Sequence, residues 1–143
     1  MSSPDGFLPD AIADGEAFTR FLLSKSHFAR EKSRVKPQAF MPNPNPTHGR
    51  LETSVHRIAR LTQEQIWQLG YGHVEKAEEG RIIKARAVGA FELVTATGLS
   101  CDVNGPPYPR HVDIVGWSDE KHVRLMRATE IADNVTLELD PRP

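Results

Sequence analysis

Apolar residues recur at helical spacing in three parts of the chain and alternate or run together in several shorter ones. Phe18, Phe21 and Leu22 fall at i, i+3 and i+4 behind Asp14, a good helix cap, and Glu16, an acid placed where the helix dipole favours one. These residues predict a first helix over 14–25, which 26–36 can prolong until Pro37 forces an exit. Thr62 and Gln65 make a capping-box pair ahead of Ile66 and Leu69, with Gly70 as a stop, so a short helix is expected over 62–70. One further helical turn fits 74–79. Ser118, Asp119 and Glu120 open a third helix to about Asp133, with Leu125, Met126, Thr129 and Ala132 as its inward face.

Between these lie strand signals. Over 53–58, Val55 and Arg57 share one face while Ser54, His56 and Ile58 share the other. Residues 38–41, 81–88, 91–94, 99–103, 111–117 and 135–139 also read as extended, with a helix as the alternative over 90–96. Three prolines within 42–49 remove backbone donors and fix φ, which predicts a surface loop there rather than helix or interior strand. Residues 106–109, Pro-Pro-Tyr-Pro, read as a stiff connection into the next strand. About three helices and four to six strands, beginning with a helix and never repeating a βαβ unit, predict an α+β fold. The expected form is one compact domain over 14–143, its helices packed on a small mixed or antiparallel sheet, after a loose leader at 1–13.

Composition supports a packed core: 143 residues, 38% hydrophobic and 26% charged, fall outside the signature of disorder. Trp67 and Trp117 belong to that core. The lone Cys101 has no disulfide partner and reads as a small buried hydrophobe. The acidic, proline-containing start is unlike a signal peptide, and no apolar run approaches the roughly 20 residues of a membrane span. A cytoplasmic protein without a membrane partner is expected.

Charge is distributed unevenly. Residues 20–60 hold nine Lys/Arg against Glu31 and Glu52, a balance of +7 in a chain of net charge −1. Its densest part, 25–36, carries Lys25, Arg30, Lys32, Arg34 and Lys36, and with Arg57 and Arg110 these are the candidate anion-binding residues. The natural partners are nucleic acid or a phosphorylated, nucleotide-like small molecule. The plain alternative is a set of solvated charges paired with acids across the fold.

No phosphate-binding glycine loop, dinucleotide fingerprint, paired-cysteine metal site, HExxH or GxSxG motif occurs. No cofactor is implied, and His27, His56, His111 and Asp113 lack the short spacing of a metal site, so none is expected. His27, His56 and His111 each lie near Lys or Arg, which makes them the candidate acid/base residues of a phosphoester- or nucleotide-directed enzyme, with Arg34, Arg57 or Arg110 stabilising charge. Against this, Arg and His at adjacent strand positions point to opposite faces. A third class is a non-catalytic module that contacts a protein partner through 42–49 and the basic segment.

Overall fold

The computed structural model describes residues 8–77, 80–105 and 110–142. The strands are β1 (Ala17–Leu22), β2 (Phe28–Ala29), β3 (Arg34–Val35), β4 (Asn43–Asn45), β5 (Arg50–Arg57), β6 (Ala85–Ala90), β7 (Ser100–Gly105), β8 (His111–Val115) and β9 (Thr136–Leu139). The helices are α1 (Gln63–Leu69), α2 (Glu75–Ala77), α3 (Phe91–Ala96) and α4 (Lys121–Ala132). Among the described residues, the strands build an antiparallel seven-stranded sheet in the order β7-β8-β5-β1-β6-β9, with β4 beside β5 and a separate β2–β3 hairpin. The architecture is α+β, with a sheet larger than the small one expected.

The predicted first helix is a strand. β1 lies between β5 and β6 and is covered on both sides: Phe18 and Leu22 enter the main core, while Phe21 joins Ile66 and Trp67 of α1 in a second cluster. A strand buried on both faces loses its apolar–polar alternation, and here the remaining pattern coincides with helical spacing. Asp14 and Gly15 form the turn before it, with Gly15 at φ +76° and the Glu16 N–H donating to the Ala13 carbonyl.

The expected helical extension over 26–36 is a 3₁₀ turn, Lys25–His27, followed by the β2–β3 hairpin, because Phe28 and Val35 pair across it and are buried in the core. Residues 38–41 do not extend; Pro37 opens a 3₁₀ turn, Pro37–Phe40, against which α4 packs. Part of the predicted 42–49 loop is strand β4, in register Asn43–Glu52, Pro44–Leu51 and Asn45–Arg50. Its place outside the main strand order tolerates the donor that Pro44 lacks.

The capping box of α1 forms as expected: Thr62 Oγ1 accepts from the Gln65 N–H at 3.1 Å, and the Thr62 N–H donates to Gln65 Oε1 at 3.0 Å. Gly70 is no stop, because the chain continues through it as a wider π turn, Gly70–Val74, into α2. A Cβ there would come within 2.6 Å of the Phe21 ring, so glycine allows the close approach. Residues 91–94 are helical, in α3, rather than extended. In α4, Ala128, Ile131 and Ala132 are buried, whereas Leu125 and Met126, expected inside, are exposed. Small alanines at the contact let the helix lie close against the Pro37–Phe40 turn. Trp67 and Trp117 are buried as predicted. Residues 106–109 lie outside the described residues, and no helix among those described is long and apolar enough to cross a membrane.

Candidate functional site

Strand periodicity and register together assemble the site. Glu52, Ser54 and His56 project from one face of β5, and His111 and Asp113 from the same face of β8. The antiparallel register places His56 opposite His111 and Ser54 opposite Asp113. The two imidazoles are 6.0 Å apart between ring centroids, and Phe21 of β1 packs 5.4 Å from His56.

β1 and β5 are registered at Phe18–Arg57 and Thr19–His56. Beyond that point the Arg20 guanidinium reaches across, donating from Nη1 to the Ser54 carbonyl at 2.6 Å and from Nε to the Ala39 carbonyl. The result is a cleft of about 680 Å³ lined by Arg20, His27, Ser54, His56, Arg81 and His111, with Glu52, Asp113 and the β4 segment through His48 at one end. That volume suits a small-molecule ligand.

The cleft has two electrical ends. At one, burial and the charges of Arg20 and Arg81 push the His27 imidazole below its ordinary pKa. At the other, Asn45 donates to Glu52 Oε1, His48 Nδ1 lies 2.9 Å from Glu52 Oε2, and Arg50 Nε donates to that oxygen at 2.8 Å. Burial alone would raise the Glu52 carboxyl, but hydrogen bonds from His48, Arg50 and Asn45 and the His48 charge outweigh it and hold the carboxyl at about 2. On the floor, burial, then His111, Arg20 and His73, drive His56 down to about 3, so it is neutral at physiological pH.

Ser54 Oγ, His111 and Asp113 meet in a triangle. His111 Nε2 is 3.1 Å from Ser54 Oγ and 3.3 Å from Asp113 Oδ1, and Ser54 Oγ donates to that same oxygen at 3.4 Å. A serine nucleophile of the triad type needs its acid on the far imidazole nitrogen, so this triangle lacks that relay geometry.

The three predicted histidines, His27, His56 and His111, therefore line one cleft. The basic residues divide differently. Lys25, Arg30, Lys32, Arg34 and Lys36 are exposed on and around the β2–β3 hairpin, where Arg34 reaches Asp133 at 3.5 Å. Arg57 and Arg110 are buried and serve the fold. Arg57 grips Glu16 through Nε at 2.6 Å and Nη2 at 2.8 Å and donates to the Pro9 carbonyl, while Arg110 donates to the Ala59 carbonyl at 2.9 Å. Their places beside His56 and His111 in sequence put them on the opposite strand face.

Arg20, Arg81, Ser54, Glu52 and His48 escaped the sequence reading as site residues. The available signal was the pair of two-residue spacings, Ser54–His56 and His111–Asp113, each of which sets two polar side chains on one face of a strand. Cys101 is outside this cleft, and burial pushes its thiol up to about 11. No family model, curated protein or solved structure matches the chain.

Proposed function

We propose that the chain is an enzyme that acts on a phosphoester or nucleotide-like phosphate held in the cleft. The observation that carries this reading is the convergence of His27, His56 and His111, from three separate segments, with Arg20 and Arg81 around one cavity. Positive charge fixed beside a reacting phosphate stabilises the negative charge that accumulates in the transition state. Imidazoles move the protons.

In this reading His27, its imidazole pushed below the ordinary pKa by burial and its two arginine neighbours, takes a proton from the attacking water. His111, whose Nε2 lies 3.3 Å from Asp113 Oδ1, returns one to the departing ester oxygen. A bond from water oxygen to phosphorus forms as the ester bond breaks. His56 stays neutral.

Turnover of bis(p-nitrophenyl) phosphate and p-nitrophenyl phosphate tests this. Wild type should release nitrophenolate, and His111→Gln should lower kcat/KM by roughly 10²–10⁴-fold with unchanged circular dichroism. In parallel, inorganic phosphate should bind wild type and bind Arg81→Ala more weakly by calorimetry. Neither turnover nor phosphate binding, or equal behaviour of wild type and variants, would sink the proposal.

A second reading has its own support: the exposed cations of the β2–β3 hairpin suit a polyanion such as nucleic acid, held by phosphate contacts without chemistry.

A further inference from the structure

Three carboxylates gather at one end of the cleft. Glu52, Asp102 and Asp113 surround one guanidinium, that of Arg50, which contacts Glu52 at 2.8 Å, Asp102 at 2.6 Å and Asp113 at 3.6 Å. Glu52 and Asp113 are 8% and 1% exposed. Buried carboxylates are costly unless hydrogen bonds or cations compensate them.

The donor atoms for such a cation are already gathered. One atom each from His48, Glu52 and Asp113 lie within 4.8 Å of one another. Two ligands on a cation, each about 2.1 Å from it, sit about 3.0–3.4 Å apart at octahedral or tetrahedral angles. His48 Nδ1 and Glu52 Oε2 are 2.9 Å apart, close to that spacing before any adjustment. The three come from different segments: the turn after β4, β5 and β8.

Each carboxylate is also aimed by further groups. Asn45 donates to Glu52 Oε1, and Ser54 and His111 hold Asp113 Oδ1. Such outer partners fix the orientation of metal ligands. His48 is the exposed member, which leaves the site an entry from solvent.

We propose that His48, Glu52 and Asp113 bind one divalent transition-metal cation at this end of the cleft. One imidazole with two carboxylates is a mixed nitrogen–oxygen set, suited to manganese, iron(II) or zinc, and lacks the sulfur that would select softer ions. Arg50 then serves as a neighbour that pins Glu52 and Asp102. The site shares Asp113, the neighbour of His111, with the reading above, but metal binding itself requires no turnover.

The test reads metal directly. The full chain, freed of metal with EDTA and titrated with MnCl2, should bind one equivalent by electron paramagnetic resonance, and CoCl2 should give a visible absorption band from mixed nitrogen–oxygen ligation. His48→Gln, at an exposed position that spares the core, and Asp113→Asn should each weaken Mn²⁺ binding about 10–100-fold. Asp102→Asn, outside the three-atom group, should weaken it far less. Absence of Mn²⁺ binding by wild type, or equal binding by wild type and His48→Gln, overturns the site. Because no turnover is measured, failure here leaves the phosphoester reading standing, and failure of that reading leaves this one.

Discussion

On one face of the sheet, Phe18, Leu22, Val55, Ala87, Val112 and Ile114 are fully buried against α3, α4 and Phe40. On the other, beside the smaller apolar cluster of Phe21, Ile66, Trp67 and Ile83, His56, Arg86, His111 and Asp113 are nearly as buried, yet each is polar or ionisable. A face made of aromatic and aliphatic groups gains stability from water-free packing. A face of equal depth made of imidazole, guanidinium and carboxylate pays desolvation and recovers it only through mutual contacts, such as Arg86 with Glu138 at 2.5 Å and with Gln63 at 2.7 Å. The contrast teaches where to look for function: the apolar face holds the fold together, and the polar face keeps ionisable groups in fixed positions beside an open cleft.

The largest effect should come from the apolar face. Phe18 is fully buried, and its ring meets Phe91 at 5.4 Å and Phe40 at 6.2 Å between centroids. Phe18→Ala should destabilise the chain by about 3–5 kcal/mol in urea unfolding, since the cavity adds to the lost transfer energy. A cost under about 1 kcal/mol would mean this face is not the packed core, and the comparison between the faces would fail.

How much of each face was legible in the sequence follows from the same contrast. Elements with local signals were readable: the capping box at Thr62 and Gln65, and the strands corresponding to β5, β8 and β9. β1 was not, because a central strand covered on both sides carries no alternation, and its apolar spacing imitated a helix. The β2–β3 hairpin was missed because the Phe28–Val35 pairing is a tertiary choice, not a local one. For the site, His27, His56 and His111 could be named from residue type, but their cations could not. Arg57 and Arg110, adjacent in sequence, turn to the opposite face, while Arg20 and Arg81 arrive through strand register and a distant segment.

A second test addresses the polar face by pH. His56 is held at about 3 in the folded chain against 6.5 when unfolded, chiefly by burial, then by His111, Arg20 and His73. Below pH 6.5 the unfolded chain therefore binds a proton that the folded chain refuses, and stability falls as pH falls through that window. The slope approaches about 1.4 kcal/mol per pH unit, so roughly 2 kcal/mol should be lost between pH 6.5 and 5. Glu52, lowered to about 2, keeps its contribution in this range and loses it only as pH falls from 4.5 toward 2. His56→Gln should flatten the curve between pH 6.5 and 5, measured by urea midpoints. An unchanged slope in the variant would show that His56 accepts protons in the fold, making it a surface-like group rather than a buried one.

The smallest effect on stability should come from charges that belong to neither face. Arg30, Lys32 and Arg34 of the hairpin are exposed, and the Arg34–Asp133 contact at 3.5 Å joins side chains that are 57% and 50% exposed. Water already solvates these groups, so replacing all three with alanine should change unfolding free energy by less than about 1 kcal/mol. Nucleic acid, if it binds here, should respond far more strongly. Anisotropy with labelled single-stranded DNA and RNA should show affinity that falls linearly in log–log form with salt, and the triple variant should lose up to about three units of that slope, one per phosphate contact removed. Binding that is equal in wild type and variant, or that ignores salt, would detach the hairpin from any polyanion. The positive charge of 20–60 would then act through Arg20 at the cleft, in the folded position that its bonds to Ala39 and Ser54 already fix.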